Sequence, residues 1–511
     1  MTTAPTDTRA PHDRRTRLAV HRPSASPAAR MALGAVAVVA VGVVLLCSTP
    51  VVRFPSWREV VVAAGSAVSL WCVWSLRAEL TGEVRHRRVG LVTLSLVAVV
   101  VASAWSIGAL AAGGPTLDLG VAAVVGVVIL ACHGIRREAA VGPTPVPRWF
   151  VPAALAVAVA TVGVWIAIDA RPTRALAAGV AVTIAACPGA VGLALPAAYR
   201  FGTRRGDALG VAIDDAATLA VSQRIDTLVL DGLRTFATGK RVASVDPVHS
   251  DHERNIRWFA GALEHASDNP VGKAIAKLSA RGRLSGVRTH PGLGMSGSVD
   301  RHPVRVGRPD WVGIDATERV GITVGVEVDA RPLGTITVVD AVRPTSAPAV
   351  AALRTLGVDP VLVTTADPLT AKDLAEQLGI DRVVAEAGPT TTADLVSDLR
   401  NEGRAVALLA DAPEDAESSS VELVLAVGDP PAPVTVTLAE GDVAEAVTAL
   451  SLARTIDTQS RSTLRVATAY TAGAVAVAAV GLLPPMGASL ALAASSLIVL
   501  ASAARLRRFS V

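Results

Sequence analysis

Apolar residues fall along the chain in blocks at about 31–49, 59–77, 89–111, 117–133, 149–169, 174–198, 464–483 and 485–504. Most are long enough to cross roughly 30 Å of hydrocarbon as a helix. Between the sixth and seventh blocks the pattern changes. Strand-like runs at Ile225–Leu230, Thr335–Val339, Pro360–Val363, Arg382–Ala385, Ala405–Leu409 and Glu422–Val427 alternate with helical patterns such as Ala349–Leu356 and Thr370–Leu378. Such alternation predicts a mostly parallel sheet that binds ligands at the carboxyl ends of its strands. A smaller insert fills the stretch between about 240 and 334, and no internal repeat is visible. The predicted fold is a membrane α-helical bundle of about eight spans with an inserted cytosolic α/β domain, itself carrying a small α+β insert.

Composition agrees. Of 511 residues, 51% are hydrophobic and 18% charged, with mean hydropathy +0.48. A soluble domain carries near a quarter of charged residues. Aromatic residues make up only 3% and Ala and Val dominate the apolar blocks, which suits helices packed closely through small side chains. The net charge of +4 gives no reason to expect nucleic acid as a partner. Its placement says more. Arg9, Arg14, Arg15, Arg17, Arg22 and Arg30 precede the first block, and Arg505, Arg507 and Arg508 follow the last. Arg85, Arg87, Arg88, Arg136 and Arg137 sit in the second and fourth connections, whereas Gly113–Thr116 and Pro484–Pro485 are uncharged. Basic flanks stay inside, so both termini and the 200–460 segment are expected in the cytoplasm of a multi-pass plasma-membrane protein. Arg53, Arg58, Arg171 and Arg174 on the outer side run against this pattern.

The expected organisation is a disordered basic tail over 1–30, rather than a targeting peptide, and six spans within 31–200. The α/β domain comprises 201–239 and 335–445 around an insert at 240–334. A linker over 446–463, two spans over 464–504 and a basic tail over 505–511 complete the chain. Cys47, Cys72, Cys132 and Cys187 lie in or at the ends of apolar blocks, with no spacing that suggests a disulfide framework. Cys132-His133 closes the fourth block and reads as interfacial.

A carboxylate at the end of a buried strand, followed by a turn, suits a phosphoryl-transfer nucleophile. Asp231 holds that place, and Asp231-Gly-Leu-Arg-Thr-Phe-Ala-Thr-Gly-Lys resembles the P-type ATPase phosphorylation motif DKTGTLTxGK. Upstream, Cys187-Pro188-Gly189 and the following Ala-Val-Gly-Leu-Ala-Leu-Pro resemble the CPC span that carries the membrane metal ligands of the heavy-metal members. Downstream, Ser267-Asp268-Asn269-Pro270 stands for SEHP, and Gly292 to Gly297 for the glycine-rich nucleotide loop. Asp340-Ala-Val-Arg343 continues the series, Thr364 to Asp367 takes the place of TGDN, and Ala410 to Asp415 that of GDGIND. Ser495-Ser496 and Arg505-Leu506 are similar to the closing MxxSS…RL segment. The collinear series covers about residues 175–508, and several motifs in order are far more specific than any one alone.

The resemblance implies a HAD-like phosphorylation domain with Asp231, Thr235 and Thr364 as catalytic residues. It implies nucleotide contacts at Asn269, Gly292 and Gly294, and Mg²⁺ held by Asp231, Asp411 and Asp415. ATP and Mg²⁺ are the implied cofactors. A transported ion such as Cu(I) would meet Cys187, Tyr470 and Ser495.

The sequence also departs from the family pattern. Gly232-Leu233-Arg234 replaces Lys-Thr-Gly, and Arg234 either contacts phosphate as a fork donor or pairs with Asp231 and fills its site. Thr392 stands for the phosphate-clamping lysine, Asn269 for the adenine-stacking histidine and Ala366 for the TGD aspartate. Gly189 and Leu492 replace two soft metal ligands, so Cys187 reads equally as a small apolar residue beside a proline break. The connection at 134–148 is too short for the actuator domain the family places there. Thr81-Gly82-Glu83 matches the actuator's TGE by letters only, in what reads as a solvated basic loop. Phosphoryl transfer depends on positioning and charge neutralisation. The sequence therefore predicts a degenerate member with a sensing role or a role as partner of an intact P-type ATPase or of another copy of itself. The alternatives are an active copper-type exporter using Asp231, and a passive conduit at the Pro188 break.

Overall fold

The computed structural model describes residues 42, 54–85, 90–139, 141, 149–168, 171–232, 235–315, 319–410, 421–427 and 435–510. They form two compact units, one from the chain up to Leu209 together with Leu452 onward, the other from Gly210 to Ser451. Apart from Gly42, the first apolar block at 31–49 and both ends of the chain (1–30 and Val511) lie outside the described residues.

The membrane unit begins with α1 (Trp57–Arg85), α2 (Leu91–Ala111), α3 (Val121–Ala139), α4 (Phe150–Ala167), α5 (Pro172–Ala185) and α6 (Gly189–Ala208). Six helical segments among the described residues are long and apolar enough to cross a membrane: 57–83, 91–111, 116–139, 150–167, 172–208 and 485–508. They coincide with six of the predicted blocks. Small residues bring the helices together. A Cβ on Gly126 of α3 would lie 2.7 Å from Val68 Cγ1 on α1, and one on Gly65 would lie 3.3 Å from Ala122 Cβ. Cys72, Leu76, Leu96, Val125, Ile184 and Leu492 share the resulting core. Leu70, Trp74, Val159 and Leu497 are exposed, as side chains facing lipid would be. Pro188 has no N–H to donate, and the helix breaks there, α5 ending at Ala185 and α6 starting at Gly189.

The second unit holds two sheets. The first contains β1 (Val211–Ile213), β2 (Thr227–Asp231), β9 (Asp359–Val363), β10 (Arg382–Val384), β11 (Val406–Ala410), β12 (Leu423–Val427) and β13 (Thr435–Leu438). Its order is β1-β13-β12-β11-β2-β9-β10, parallel throughout except at the β1–β13 edge. Helices α7 (Ala217–Ser222), α10 (Ser346–Thr355), α11 (Pro368–Leu378) and α12 (Thr391–Asn401) accompany it. The second sheet is antiparallel, in the order β3-β8-β7-β6-β5-β4, from β3 (Ala237–Pro247), β4 (Leu284–His290), β5 (Gly294–Val299), β6 (His302–Gly307), β7 (Ile322–Val328) and β8 (Arg331–Val342). Its core includes residues of α8 (Glu253–Glu264) and α9 (Pro270–Ile275).

Three expectations change. The run Thr335–Val339 belongs to β8 of the antiparallel sheet, paired with β3 and β7, and not to the parallel sheet. A short apolar strand reads the same in either setting. The stretch 446–463 is helical, lying within α13 (Val443–Ala479). The seventh predicted span, 464–483, is the end of that helix and its following turn. The last helix is α14 (Pro485–Ala504). The Thr81-Gly82-Glu83 triplet is also helical, in the final turns of α1.

Candidate functional site

Parallel strands set side by side bring their C-terminal residues to one edge. Asp231, last in β2, lies in register with Ala410 of β11 on one side and Val363 of β9 on the other. Thr364 follows Val363 directly, so Asp231 and Thr364 share that edge. Thr392, at the start of α12, donates its hydroxyl to Asp231 Oδ2 at 3.0 Å. Burial pushes the Asp231 carboxyl above the usual range, opposed by the Thr392 hydroxyl and the Gly232 N–H. Where the resemblance expects a lysine charge, the carboxylate meets a neutral hydroxyl.

The other predicted residues of this edge are engaged locally. Thr235 is fully buried and donates to the Gly232 carbonyl at 2.7 Å, closing the turn after Asp231. Thr364 Oγ1 accepts from the Ala366 N–H at 3.2 Å. Asp367 caps α11, its Oδ1 accepting from the Thr370 N–H at 3.0 Å, and that bond holds its carboxyl below the usual range. Arg234, Asp411 and Asp415 lie outside the described residues. Among the described residues no three His, Cys, Asp or Glu side chains gather closely enough to hold a metal ion. Mg²⁺ wants about six oxygens, and Asp231 alone does not fit it. Whether the edge holds Mg²⁺ rests on Asp411 and Asp415.

Beside this edge a cavity of ≈ 260 Å³ is lined by Lys240, Gly321, Val338, Asp340, Thr364 and Asp367 among others. Lys240 Nζ, the lysine of the Asp231–Lys240 motif, is held by Asp340 Oδ1 at 2.7 Å. The Gly321 N–H donates to Thr370 Oγ1 at 2.8 Å across the same cavity. In the antiparallel sheet, Asn269 caps α9, its Oδ1 accepting from the Val271 N–H at 3.0 Å. Gly292 adopts φ +75° in the β4–β5 turn, and Gly294 has φ +145° where a Cβ would run into Val306 and Gly307 of β6. Both glycines thus have a local reason to be glycine. Sequence reasoning missed Glu264, at the end of α8. It is buried, and burial raises its carboxyl to about 7 against a hydrogen bond from Ser267. The signal was a Glu on the apolar face of an otherwise amphipathic helix.

In the membrane unit Cys187 and Ser495 are buried, whereas Tyr470 is 38% exposed and its neighbour Thr471 is the buried member of the pair. Ser495 Oγ donates to the Leu492 carbonyl at 2.8 Å. Cys132 and His133 are buried among the helices. Glu83 is not free in solvent either. Its carboxylate accepts from the N–H groups of Gly90, Val92 and Thr93 at 3.1–3.2 Å and from Thr93 Oγ1 at 2.7 Å, capping α2.

Known proteins share these features. The haloacid dehalogenase-like hydrolase family matches residues 226–419, the stretch that includes the parallel sheet from β2 to β11. A copper-exporting P-type ATPase of Mycobacterium tuberculosis is 34% identical over 379 residues, covering 70% of this chain and 50% of its own. That of Mycobacterium leprae is 32% identical over 382 residues, covering 70% and 49%. The chain therefore spans about half the length of the curated relatives it matches. A crystal structure of a zinc-transporting PIB-type ATPase in the E2·Pi state superposes with TM-score 0.68 at 18% identity. It covers 94% of this chain and 100% of that one, a likeness of fold. With the membrane helices, the inserted HAD-like sheet and the strand-end Asp231 agreeing, the chain belongs to the heavy-metal-transporting P-type ATPase family.

Proposed function

We propose that this multi-pass membrane protein keeps the family fold without completing an ATP-driven transport cycle. It senses nucleotide or metal, or serves as partner to an intact pump or a second copy of itself, in the plasma membrane with both termini cytoplasmic. The observation that carries this is the Thr392 hydroxyl on Asp231, 3.0 Å away, in place of a cation. An attacking carboxylate must be ionised, and the phosphoryl group it receives brings more negative charge. Among the described residues the side chain on Asp231 is a neutral hydroxyl and not the lysine the resemblance expects, which disfavours both. Asn269, which the resemblance places near nucleotide, and Asp367, one residue beyond the TGD aspartate position, are both tied into helix caps. Only ten residues separate α3 from α4, where the resemblance implies an actuator domain.

The second reading is active copper export with Asp231 as nucleophile and ATP and Mg²⁺ as cofactors. It is favoured by the position of Asp231 at the strand end and by the activity named for the relatives. Phosphoryl incorporation from labelled ATP into the purified full chain, wild type against Asp231→Asn, separates the two. No label at saturating ATP and Mg²⁺ is expected. Acid-stable label that disappears in Asp231→Asn overturns the first reading.

A further inference from the structure

The lipid-facing side of α14 can be followed residue by residue. Leu490, Leu497, Ile498, Ala501, Arg505 and Arg508 are all exposed. At about 100° per residue they fall within an arc of roughly 100°, forming one stripe along the helix. The stripe is apolar as far as Ala501 and then ends in two arginines. α14 has 20 residues, about 30 Å of helix, which matches the thickness of the hydrocarbon layer. The arginines therefore stand where acyl chains give way to headgroups, on the side that meets lipid.

The turn that carries them is fixed to the neighbouring helix. Arg505–Arg508 form one 3₁₀ turn at the end of α14, with Leu506 buried beneath it. Arg205 Nε of α6 donates to the Phe509 carbonyl at 2.8 Å. The Arg507 guanidinium lies over the Phe201 ring, 4.6 Å from its centre, a cation–π contact. Phe201 and Arg205 are one turn apart on α6, so a single helix face makes both attachments. Arg204, beside them, is exposed. Arg136, Arg200 and Arg461 of the same unit are held by Glu79, Glu138 and Asp457, whereas among the described residues no carboxylate pairs with Arg204, Arg505, Arg507 or Arg508. The basic end of α14 is thus ordered by groups that leave its charge uncompensated.

We propose that the ends of α14 and α6 form a binding site for the phosphate headgroup of an anionic membrane lipid. Arg505 and Arg508 are its donors, and the stripe from Leu497 to Ala501 lies against the acyl chain. Guanidinium forks match phosphate oxygens in pairs. Insertion preference needs only positive charge near a helix end. It does not need that charge tied down at Phe509 and stacked on Phe201. A free phosphate would meet the arginines but would leave Leu497 and Ile498 without an occupant, so the lipid is the better-fitting source. A zwitterionic headgroup brings its own cation toward Arg505 and Arg508, which like charges disfavour. The site uses neither Asp231 nor Cys187 and stands whichever reading of turnover holds.

The test uses the purified full chain in detergent, titrated with dimyristoyl phosphatidylglycerol or dimyristoyl phosphatidylcholine and read by native mass spectrometry. Phosphatidylglycerol should bind roughly 25-fold more tightly, about fivefold for each outward arginine. Arg505→Gln/Arg508→Gln should remove that preference while phosphatidylcholine binding stays within about threefold of wild type. Arg254→Gln/Arg288→Gln, an equal charge change at exposed positions of the second unit, should keep the preference. Inorganic phosphate at the lipid's concentration should not displace phosphatidylglycerol. Thermal unfolding checks the folding of each variant. If the double variant fails to fold, Arg505→Gln alone decides, with about a fivefold loss expected. Equal binding of the two lipids by wild type, an unchanged preference in the folded arginine variant, an equal loss in the control pair, or displacement by inorganic phosphate overturns the assignment.

Discussion

The Asp231 edge makes a prediction with two opposite signs. Thr392 Oγ1 donates to Asp231 Oδ2 at 3.0 Å, and this bond and the Gly232 N–H are what oppose burial at that carboxyl. Thr392→Val removes the donor and nearly keeps the shape. A hydrogen bond to a charged group contributes roughly 1.5–3 kcal/mol, and 1.36 kcal/mol corresponds to one pH unit. The Asp231 carboxyl should therefore be pushed further above the usual range, by less than the full worth of the bond because the group is only part-buried. Thr392→Lys puts a cation beside the same oxygen and should move the titration down. Thr392 is 3% exposed, so the longer side chain also costs about 1–3 kcal/mol of overpacking. The carboxyl is read by infrared difference spectroscopy across a pH series, each protein against its own Asp231→Asn counterpart. If Thr392→Val titrates with wild type, or Thr392→Lys titrates higher, the hydroxyl does not govern Asp231 and the argument from the missing cation fails. Thr392→Lys alone is not expected to restore labelling, since Gly232-Leu233-Arg234 remains.

Two further outcomes follow from carboxylates held by the fold. Glu83→Ala removes four hydrogen bonds at the start of α2 and should cost about 1–2 kcal/mol, lowering the thermal midpoint by about 2–8 °C. Thr81→Ala should leave the midpoint unchanged, and a lack of destabilisation in Glu83→Ala would refute the capping role. Glu264 titrates near 7 in the folded chain against 4.5 for the free side chain. Between those values the unfolded chain has lost a proton that the folded chain keeps. Its contribution is therefore fully present below about 4.5, declines as pH rises and is gone above about 7, a span of roughly 3 kcal/mol at most. Glu264→Gln should remove that slope, seen as a wild-type-minus-variant midpoint difference that changes between pH 5 and pH 8, and a constant difference would exclude it.

Six spans and the strand ending in Asp231 were legible because each rests on a local pattern. A lipid-crossing helix needs an apolar length, and a central parallel strand such as Leu228-Val229-Leu230 is apolar on both faces. The strand Thr335–Val339 was legible as a strand but not as a member of the right sheet, because its partners β3 and β7 are distant in sequence. Arg507 was invisible as a neighbour of Phe201 for the same reason, since one sequence does not say which helix faces meet. Asn269 and Asp367 teach something different. Both precede a proline that opens a helix, Asn269-Pro270 and Asp367-Pro368, which is the local signature of a capping residue followed by proline. The same letters match a ligand motif and a helix start, and the second meaning needs only the next two residues to be realised. A cap of this kind contributes about 1 kcal/mol, enough for folding alone to keep a polar residue in place. The polar residues Asn269, Asp367 and Glu83 therefore have a reason in helix starts without any phosphate chemistry. Thr392 has no such local explanation, and its contact with Asp231 is what bears on turnover.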